Sequence, residues 1–452
     1  MFTTVLIANR GEIALRVVRA CRELGLRTVV VYSSEDRDSA AVHLADRAVH
    51  IGPGPARRSY LNIPAIIEAA RLTGADAIHP GYGFLSENPD FAEVCQAEGI
   101  TFIGPPASVM ERLGDKAVAR SMMVDAGLPL LPGSRSALEH GVQARAFADE
   151  VGYPVIIKAA AGGGGRGMRI VHEPDEFLRA YIETRASAQA IFGDGRVYVE
   201  RYLSSARHVE IQVLCDQHGN AVYLGARDCS VQRRHQKLIE ETPAPRLPDG
   251  LVERMGRAAV DGALSAGYVG AGTFEFLVDP DGAYYFMEVN CRLQVEHPVT
   301  EMVTGIDLVA AQFRVAAGEE LGFSQDAVAP RGVAIECRIN AEDPGRGFAP
   351  TPGVLEECHL PGGPFVRVDS HVFPGYRIPS VYDSLLAKVI VWAPERDEAL
   401  TRMRCALGEL RLAGPGIATT AGFLSRVLDD PTFRSAHHDT SLVADLTAGS
   451  GL

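Results

Sequence analysis

Tyr153-Pro154-Val155-Ile156-Ile157-Lys158-Ala159-Ala160-Ala161-Gly162-Gly163-Gly164-Gly165-Arg166-Gly167-Met168-Arg169-Ile170-Val171 is the stretch on which the reading of this chain turns. An apolar strand pattern ends in a lysine, a glycine run follows, and a second strand pattern starts at Met168. Gly162, Gly164 and Gly167 satisfy the spacing G-x-G-x-x-G. That spacing marks a dinucleotide site only where it opens a helix, so that the pyrophosphate meets helix N–H groups. Here the chain returns as a strand, and the dinucleotide reading fails. A P-loop fails too, because Lys158 precedes the glycines instead of following them. The segment reads as a β-hairpin with a glycine tip. Without side chains, the tip's backbone N–H groups can approach phosphate oxygens closely, and Lys158 supplies a cation to the same phosphates. A merely flexible surface loop would give no reason for a lysine at the end of a buried strand.

Upstream, residues 129–133 (Pro-Leu-Leu-Pro-Gly) look like a linker, with about seventy residues of small unit after them. Before it, strand patterns at 4–8, 28–32 and 77–79 alternate with helical spacing at 13–24, 63–71 and 91–98. Such alternation predicts a doubly wound parallel α/β domain with helices on both faces. Its first turn, Asn9-Arg10-Gly11-Glu12, has a single glycine, so no dinucleotide is expected there. Downstream, a second linker-like stretch lies near 324–331, followed by an α+β region with strands at 333–339 and 387–392 and helices at 396–407 and 420–428. The expected division is 1–113, 114–325 with a lid at about 131–203, and 331–445.

The bulk composition narrows the function classes. A net charge of −13 argues against a nucleic-acid partner, whose phosphates are met by Lys and Arg. Eight cysteines, Cys21, Cys95, Cys215, Cys229, Cys291, Cys337, Cys358 and Cys405, show no C-x-x-C pair, so neither zinc nor a disulfide framework is expected. No signal-peptide pattern and no apolar stretch near ~20 residues is present, which predicts a cytoplasmic protein that does not span a membrane. His437-His438 sits in a polar stretch and reads as solvated, and His297 before Pro298 reads as a packing or hydrogen-bonding residue.

A second chemical signal lies at residues 272–290. Gly272-Thr273-Phe274-Glu275-Phe276-Leu277 and Tyr284-Tyr285-Phe286-Met287-Glu288-Val289-Asn290 read as two strands joined by Asp279-Pro280-Asp281-Gly282. With that four-residue loop, Glu275 pairs with Phe286, and Glu288 is its diagonal neighbour on the same face. Asn290 continues that face. Two carboxylates and an amide oxygen form a hard oxygen set suited to Mg²⁺ on nucleotide phosphates.

Further motifs carry a family resemblance. They are Ile7-Ala8-Asn9-Arg10-Gly11-Glu12-Ile13-Ala14, His79-Pro80-Gly81-Tyr82-Gly83-Phe84-Leu85-Ser86-Glu87-Asn88 and Gly114-Asp115-Lys116. Arg207-His208-Val209-Glu210-Ile211-Gln212 and Arg227-Asp228-Cys229-Ser230-Val231-Gln232-Arg233-Arg234-His235-Gln236-Lys237 follow. Last come Glu288-Val289-Asn290-Cys291-Arg292-Leu293-Gln294-Val295-Glu296-His297-Pro298 and Glu336-Cys337-Arg338-Ile339-Asn340-Ala341-Glu342. In this order, together with the glycine hairpin, they resemble the biotin carboxylase family from residue 7 to about 428. The resemblance implies an ATP-grasp fold, a small glycine-flap lid and a C-terminal α+β domain.

It also implies a ligase that uses MgATP (or MnATP) and bicarbonate to carboxylate biotin through carboxyphosphate. This is the first half-reaction of an acetyl-CoA or other acyl-CoA carboxylase, as in fatty acid biosynthesis, or alternatively of a pyruvate carboxylase. Phosphate contacts would come from Lys116, Lys158, Gly164 and Gly165, and adenine and ribose contacts from Glu200, Arg201, Tyr202, Leu203, His208 and His235. Glu275, Glu288 and Asn290 would hold the metal. Lys237, Arg292 and the Val295 backbone would hold bicarbonate, with Glu296 as its base. Arg338 would stabilise the ureido oxyanion of biotin, near Tyr82 and Gln294. Two positions depart from the usual pattern: Arg201 replaces a common Lys, and Cys291 a common Thr. A homodimer is expected, with Arg19 and Glu23 on its surface, although the 362–366 loop is not clearly alike.

The chain runs to Leu452 without a Met-Lys-Met segment, and Lys388 lies in the strand pattern Leu386-Ala387-Lys388-Val389-Ile390. Biotin is therefore expected in trans, on a biotin carboxyl carrier protein, with separate carboxyltransferase subunits. Three readings compete. An ATP-grasp ligase joining a carboxylate to an amine would share Lys116, the hairpin and the metal pair but not the Arg338 strand. A nicotinamide oxidoreductase rests on the glycine spacing alone. A catalytically silent partner would not need every catalytic residue type.

Overall fold

The computed structural model describes residues 2–134, 136–160 and 167–448. In β1 (Thr4–Ile7), alternate side chains face opposite ways. Val5 and Ile7 pack with Ile13, Ala14, Val17 and Cys21 of α1 (Gly11–Glu23). Leu6 and Ala8 pack instead with Ile66 of the helix Ile63–Thr73 and Phe91 of the helix Pro89–Ala97. Both faces are thus covered, which is why this strand is apolar from Val5 to Ile7. With β2 (Arg27–Ser33), β3 (Arg47–Gly52), β4 (Ala77–His79) and β5 (Thr101–Phe102) it forms a parallel sheet in the order β3-β2-β1-β4-β5. The doubly wound architecture expected from the alternation is present.

The small unit is a three-stranded antiparallel sheet of β6 (Val155–Ala159), β7 (Met168–Val171) and β8 (Val197–Arg201), in the order β7-β6-β8. Helices Gly141–Val151 and Phe177–Phe192 pack on it around a core of its own that includes Val155, Ile157, Phe177 and Val199. β6 and β7 pair in antiparallel fashion with Lys158 opposite Met168, as a hairpin requires. Gly164 and Gly165, the expected phosphate contacts, lie outside the described residues. The stretch 129–133 is not a free linker. The Phe286 N–H donates to the Pro129 carbonyl at 2.8 Å, and Gly133 bridges to Glu200. The connection is stitched at both ends because its backbone groups find ladder partners on two sheets.

The largest sheet has eight strands. β9 (Arg207–Cys215), β10 (Ala221–Arg233), β11 (Gln236–Thr242), β12 (Gly270–Val278), β13 (Tyr284–Asn290) and β14 (Val333–Asn340) join the strands Val366–Ser370 and Leu385–Ala393. The order is β13-β12-β9-β10-β11-β14, then Leu385–Ala393, then Val366–Ser370. The linker-like stretch near 324–331 therefore leads back into the same sheet, through β11–β14 pairing. The helix Leu251–Ala266 covers one end and Arg396–Glu409 and Ala421–Asp429 cover the other. Both faces of β14 are covered, since Ile335, Cys337 and Ile339 lie in one core while Glu336 and Asn340 are equally buried on the other side.

Candidate active site

The hairpin register differs from the sequence expectation. Val278 pairs with Tyr284, and Phe276 with Phe286, and an irregularity follows so that Glu275 faces Glu288 directly. The extra residue, Met287, is a β-bulge that re-aims the next side chain. The two expected metal carboxylates are therefore nearest cross-strand neighbours rather than diagonal ones. β9 extends the row, with Glu210 opposite Glu275 and Arg227 opposite Glu210. Three carboxylates side by side repel, and their partners decide whether the row is stable.

Each carboxylate has cationic or amide partners. Lys237 places its ammonium 2.6 Å from Glu210, 3.0 Å from Glu275 and 2.5 Å from Glu296. Arg227 lies 2.6 Å from Glu210. His208 Nε2 is 3.1 Å from Glu275 Oε2, and Asn290 and Gln294 donate to Glu275 Oε1 at 2.8 and 3.1 Å. Lys116 reaches Glu288 at 2.7 Å. Burial alone would raise the Glu275 carboxyl, but Lys237 and His208 hold it well below the ordinary carboxylate range. Glu275 and Glu288 fit a hard divalent cation. Asn290 is oriented otherwise in this state, because its Oδ1 accepts from Arg292 at 2.9 Å.

The loop after β13 carries the remaining groups. Glu87, from the N-terminal domain, accepts from the Cys291 N–H at 2.9 Å and from Arg292 Nε at 2.8 Å, so it orients the guanidinium. Glu296 is fully buried. Its Oε1 meets Lys237 and its Oε2 accepts from Arg338 at 2.8 Å. Burial would raise this carboxyl too, and Lys237, Arg338 and Arg227 hold it well below the usual range. Arg338 also lies against Glu240 across β11–β14. Burial pushes the Glu240 carboxyl up to about 7 against the pull of Arg338.

Tyr82 hydrogen-bonds Glu12. The turn before it packs tightly. Gly81 has φ +64°, a Cβ there would lie 2.8 Å from Asn9 Nδ2, and that amide donates to the Pro80 and Tyr82 carbonyls at 2.7 and 2.8 Å. Only glycine combines this φ with so close an approach.

On the lid side, Lys158 pairs with Glu200 at 2.6 Å, and Glu200 also meets Arg120. The Glu200 side chain is thus engaged by two cations, whereas Arg201 is exposed and Tyr202 and Leu203 are half-buried beside it. His235 occupies the exposed β10–β11 tip at φ +67°. His208 Nδ1 lies 3.2 Å from the Gln232 amide. Gln232, Glu87, Arg120 and Glu210 join the site without a sequence signal that assigns them a role. Glu87, Glu210 and Gln232 stand inside motifs, but their partnerships cross strands and domains and cannot be read from spacing.

His438 is not solvated. It is buried, with Nε2 3.3 Å from Asp228, because the C-terminal segment 436–440 folds back on β9 and β10, Thr440 N–H donating to Ala206. His297 packs as expected, its Nδ1 2.7 Å from the Gln294 carbonyl. All eight cysteines are free. Among the described residues no helix is long and apolar enough to cross a membrane.

Comparison with known proteins agrees with this fold. Residues 1–110 match the family "Biotin carboxylase, N-terminal domain", 115–324 "Carbamoyl-phosphate synthase L chain, ATP binding domain" and 336–445 "Biotin carboxylase C-terminal domain". The biotin carboxylase of Nostoc sp. is 52% identical, over 98% of this chain and 99% of its own length. A pyruvate carboxylase subunit of Methanothermobacter thermautotrophicus is 50% identical, over 99% of this chain and 91% of its own. The crystal structure of the biotin carboxylase domain dimer of Hydrogenobacter thermophilus 2-oxoglutarate carboxylase, in complex with MgADP, ADP and bicarbonate, superposes with a TM-score of 0.95. It is 47% identical and covers 98% of each chain. With its fold and its sequence throughout matching, the chain belongs to the biotin carboxylase family.

Proposed function

We propose that this protein carboxylates biotin, carried on a separate biotin carboxyl carrier protein, at the expense of ATP and with bicarbonate as carbon source. The observation that carries the reading is the buried cluster Lys237–Glu296–Arg338, tied to the Glu275/Glu288 pair by Lys237, whose ammonium lies 3.0 Å from Glu275. Lys116 and Lys158 bind the nucleotide's phosphates, and Arg201, Tyr202, Leu203, His208 and His235 line the approach to its base and ribose. Mg²⁺ or Mn²⁺ would be held by Glu275 and Glu288, with Asn290 after its amide turns, and when bound offsets charge on the transferred phosphoryl group.

Bicarbonate is held by Lys237, Arg292 and the Val295 backbone. In the free protein Glu296 is masked by its two cations and is a weak base. Bicarbonate drawing on Lys237, and biotin drawing on Arg338, release the carboxylate and raise its basicity. Glu296 then takes the bicarbonate proton as a bicarbonate oxygen attacks the γ-phosphorus and ADP leaves. Carboxyphosphate breaks down to CO₂ and phosphate, phosphate accepts the ureido proton, and the ureido nitrogen bonds to CO₂. Arg338 stabilises the ureido oxyanion, with Tyr82 and Gln294 beside biotin. A planar guanidinium suits both oxyanions.

The reading implies a cytoplasmic homodimer working with carboxyltransferase subunits in an acyl-CoA carboxylase. A keto acid as final acceptor is the second reading, favoured by the similarity to the 2-oxoglutarate carboxylase domain and to the Methanothermobacter pyruvate carboxylase. ADP release by the purified protein, measured with and without bicarbonate and free biotin, is the test. Dependence on both is expected. Release that ignores bicarbonate and answers to an amine instead would point to an amide-forming ligase.

A further inference from the structure

Lys388 has no part in the chemistry above, yet it is a lysine with no exposed surface in the middle of the strand Leu385–Ala393. In register it stands opposite Arg338 on β14 and Asp369 on the other side. A cation facing a cation in a buried sheet is costly and persists only with specific partners. Its ammonium donates to the Val295 carbonyl at 2.7 Å and lies 3.1 Å from Glu12 Oε1, with Asp369 at 3.9 Å. The same Glu12 oxygen accepts from the Tyr82 hydroxyl.

We propose that Lys388 is a positioning residue that locks the bicarbonate-binding backbone at Val295 to the biotin-side Tyr82 through Glu12. The chain Val295 carbonyl–Lys388–Glu12–Tyr82 joins three parts of the molecule: the loop after β13, the C-terminal part of the sheet, and the N-terminal domain. It runs beside Arg338, the cross-strand partner of Lys388, so both substrates meet a loop whose Val295 carbonyl is held by a buried ammonium. Asp369 keeps Arg367 as an independent partner at 2.7 Å, so it does not account for the lysine. The inference rests on the carboxylation reading, and it adds a residue that touches neither substrate.

The test uses the full chain, with bicarbonate and free biotin as probes. Lys388→Met keeps length and removes the charge-assisted hydrogen bonds. KM for bicarbonate and KM for biotin are each expected to rise about ten-fold, since such bonds differ from none by that order. The MgADP dissociation constant should stay within about two-fold, additivity holding for groups that share no partner. Unchanged KM values overturn the proposal, and so does a rise in the MgADP constant equal to the rise in the two KM values, which would mark general loosening. Should Lys388→Met fail to fold, Glu12→Gln retains size and oxygen while removing the charge. Its effect on biotin KM is expected to be non-additive with Tyr82→Phe, and strict additivity overturns the chain. A wild-type protein that shows no bicarbonate- and biotin-dependent ADP release would sink the carboxylation reading and this proposal together. Full wild-type activity beside an unaltered Lys388→Met variant sinks only the latter.

Discussion

Arg338 donates to Glu296 Oε2 at 2.8 Å, from a strand of the C-terminal part of the sheet to a loop that follows β13. The proposed anchor of biotin and the proposed base for bicarbonate are thus one ion pair in the free protein. Neither group is fully available until substrate arrives, which couples the two half-sites through one ion pair.

Arg338→Ala should lower kcat/KM for biotin by about a hundred-fold, the magnitude typical of a lost oxyanion donor. MgADP affinity should remain within about two-fold, because Lys116 and Lys158 are untouched. Equal loss of nucleotide binding, read by calorimetry, would defeat this division of roles. Glu296→Gln should instead abolish the ADP release that requires bicarbonate and biotin, whatever the biotin concentration.

Glu288→Gln leaves Glu275 with one carboxylate partner fewer and frees Lys116. Every ATP-consuming step should slow by about a hundred-fold, with the apparent demand for Mg²⁺ raised. A chelator should stop the wild-type reaction reversibly. A variant that loses only biotin turnover would contradict the metal assignment.

Asp228 is buried between Arg207 at 2.7 Å and His438 at 3.3 Å. Burial would raise its carboxyl, but His438 and Arg207 hold it well below the usual value. A depressed carboxyl adds stability above its unfolded pKa of about 3.9 and loses that stability as pH falls toward the folded value. Asp228→Asn should therefore cost about 3 kcal/mol at pH 7 in urea unfolding. The gap from wild type should hold to about pH 5 and narrow below about pH 4. A constant gap down to the acid transition would show that the cost is packing and not charge.

Biotin should reach this site on another chain. Lys388 is enclosed within its strand and is not an attachment lysine. The purified protein should give no streptavidin signal. Free biotin should react less efficiently than a biotinylated carrier, which adds binding energy and local concentration. Stoichiometric covalent biotin, or free biotin equal to the carrier, would refute delivery in trans.

Local signals carry most of the fold. The strand at 77–79 is legible to the residue because it is a short apolar run between turn residues, and helix starts at Ile63 and Arg396 follow from helical spacing. Long-range pairing is not legible. A β-bulge at Met287 changes the partner of Glu275 from Phe286 to Glu288, and an apolar-polar pattern cannot announce an inserted residue. His438 reads as solvated because its neighbours in sequence are polar, yet the chain returns it beneath Asp228.

The sequence by itself determined the residue types of the site, the hairpin that excludes a dinucleotide fold, and the parallel N-terminal sheet. All of these are written in local periodicity and in motif order. Only the tertiary structure decided which charge meets which: Lys237 among three carboxylates, Glu87 on Arg292, and Lys388 between Val295 and Glu12. The reason is physical. A buried charge is stable only beside its partner, and those partners come from strands and loops that no sequence spacing brings together.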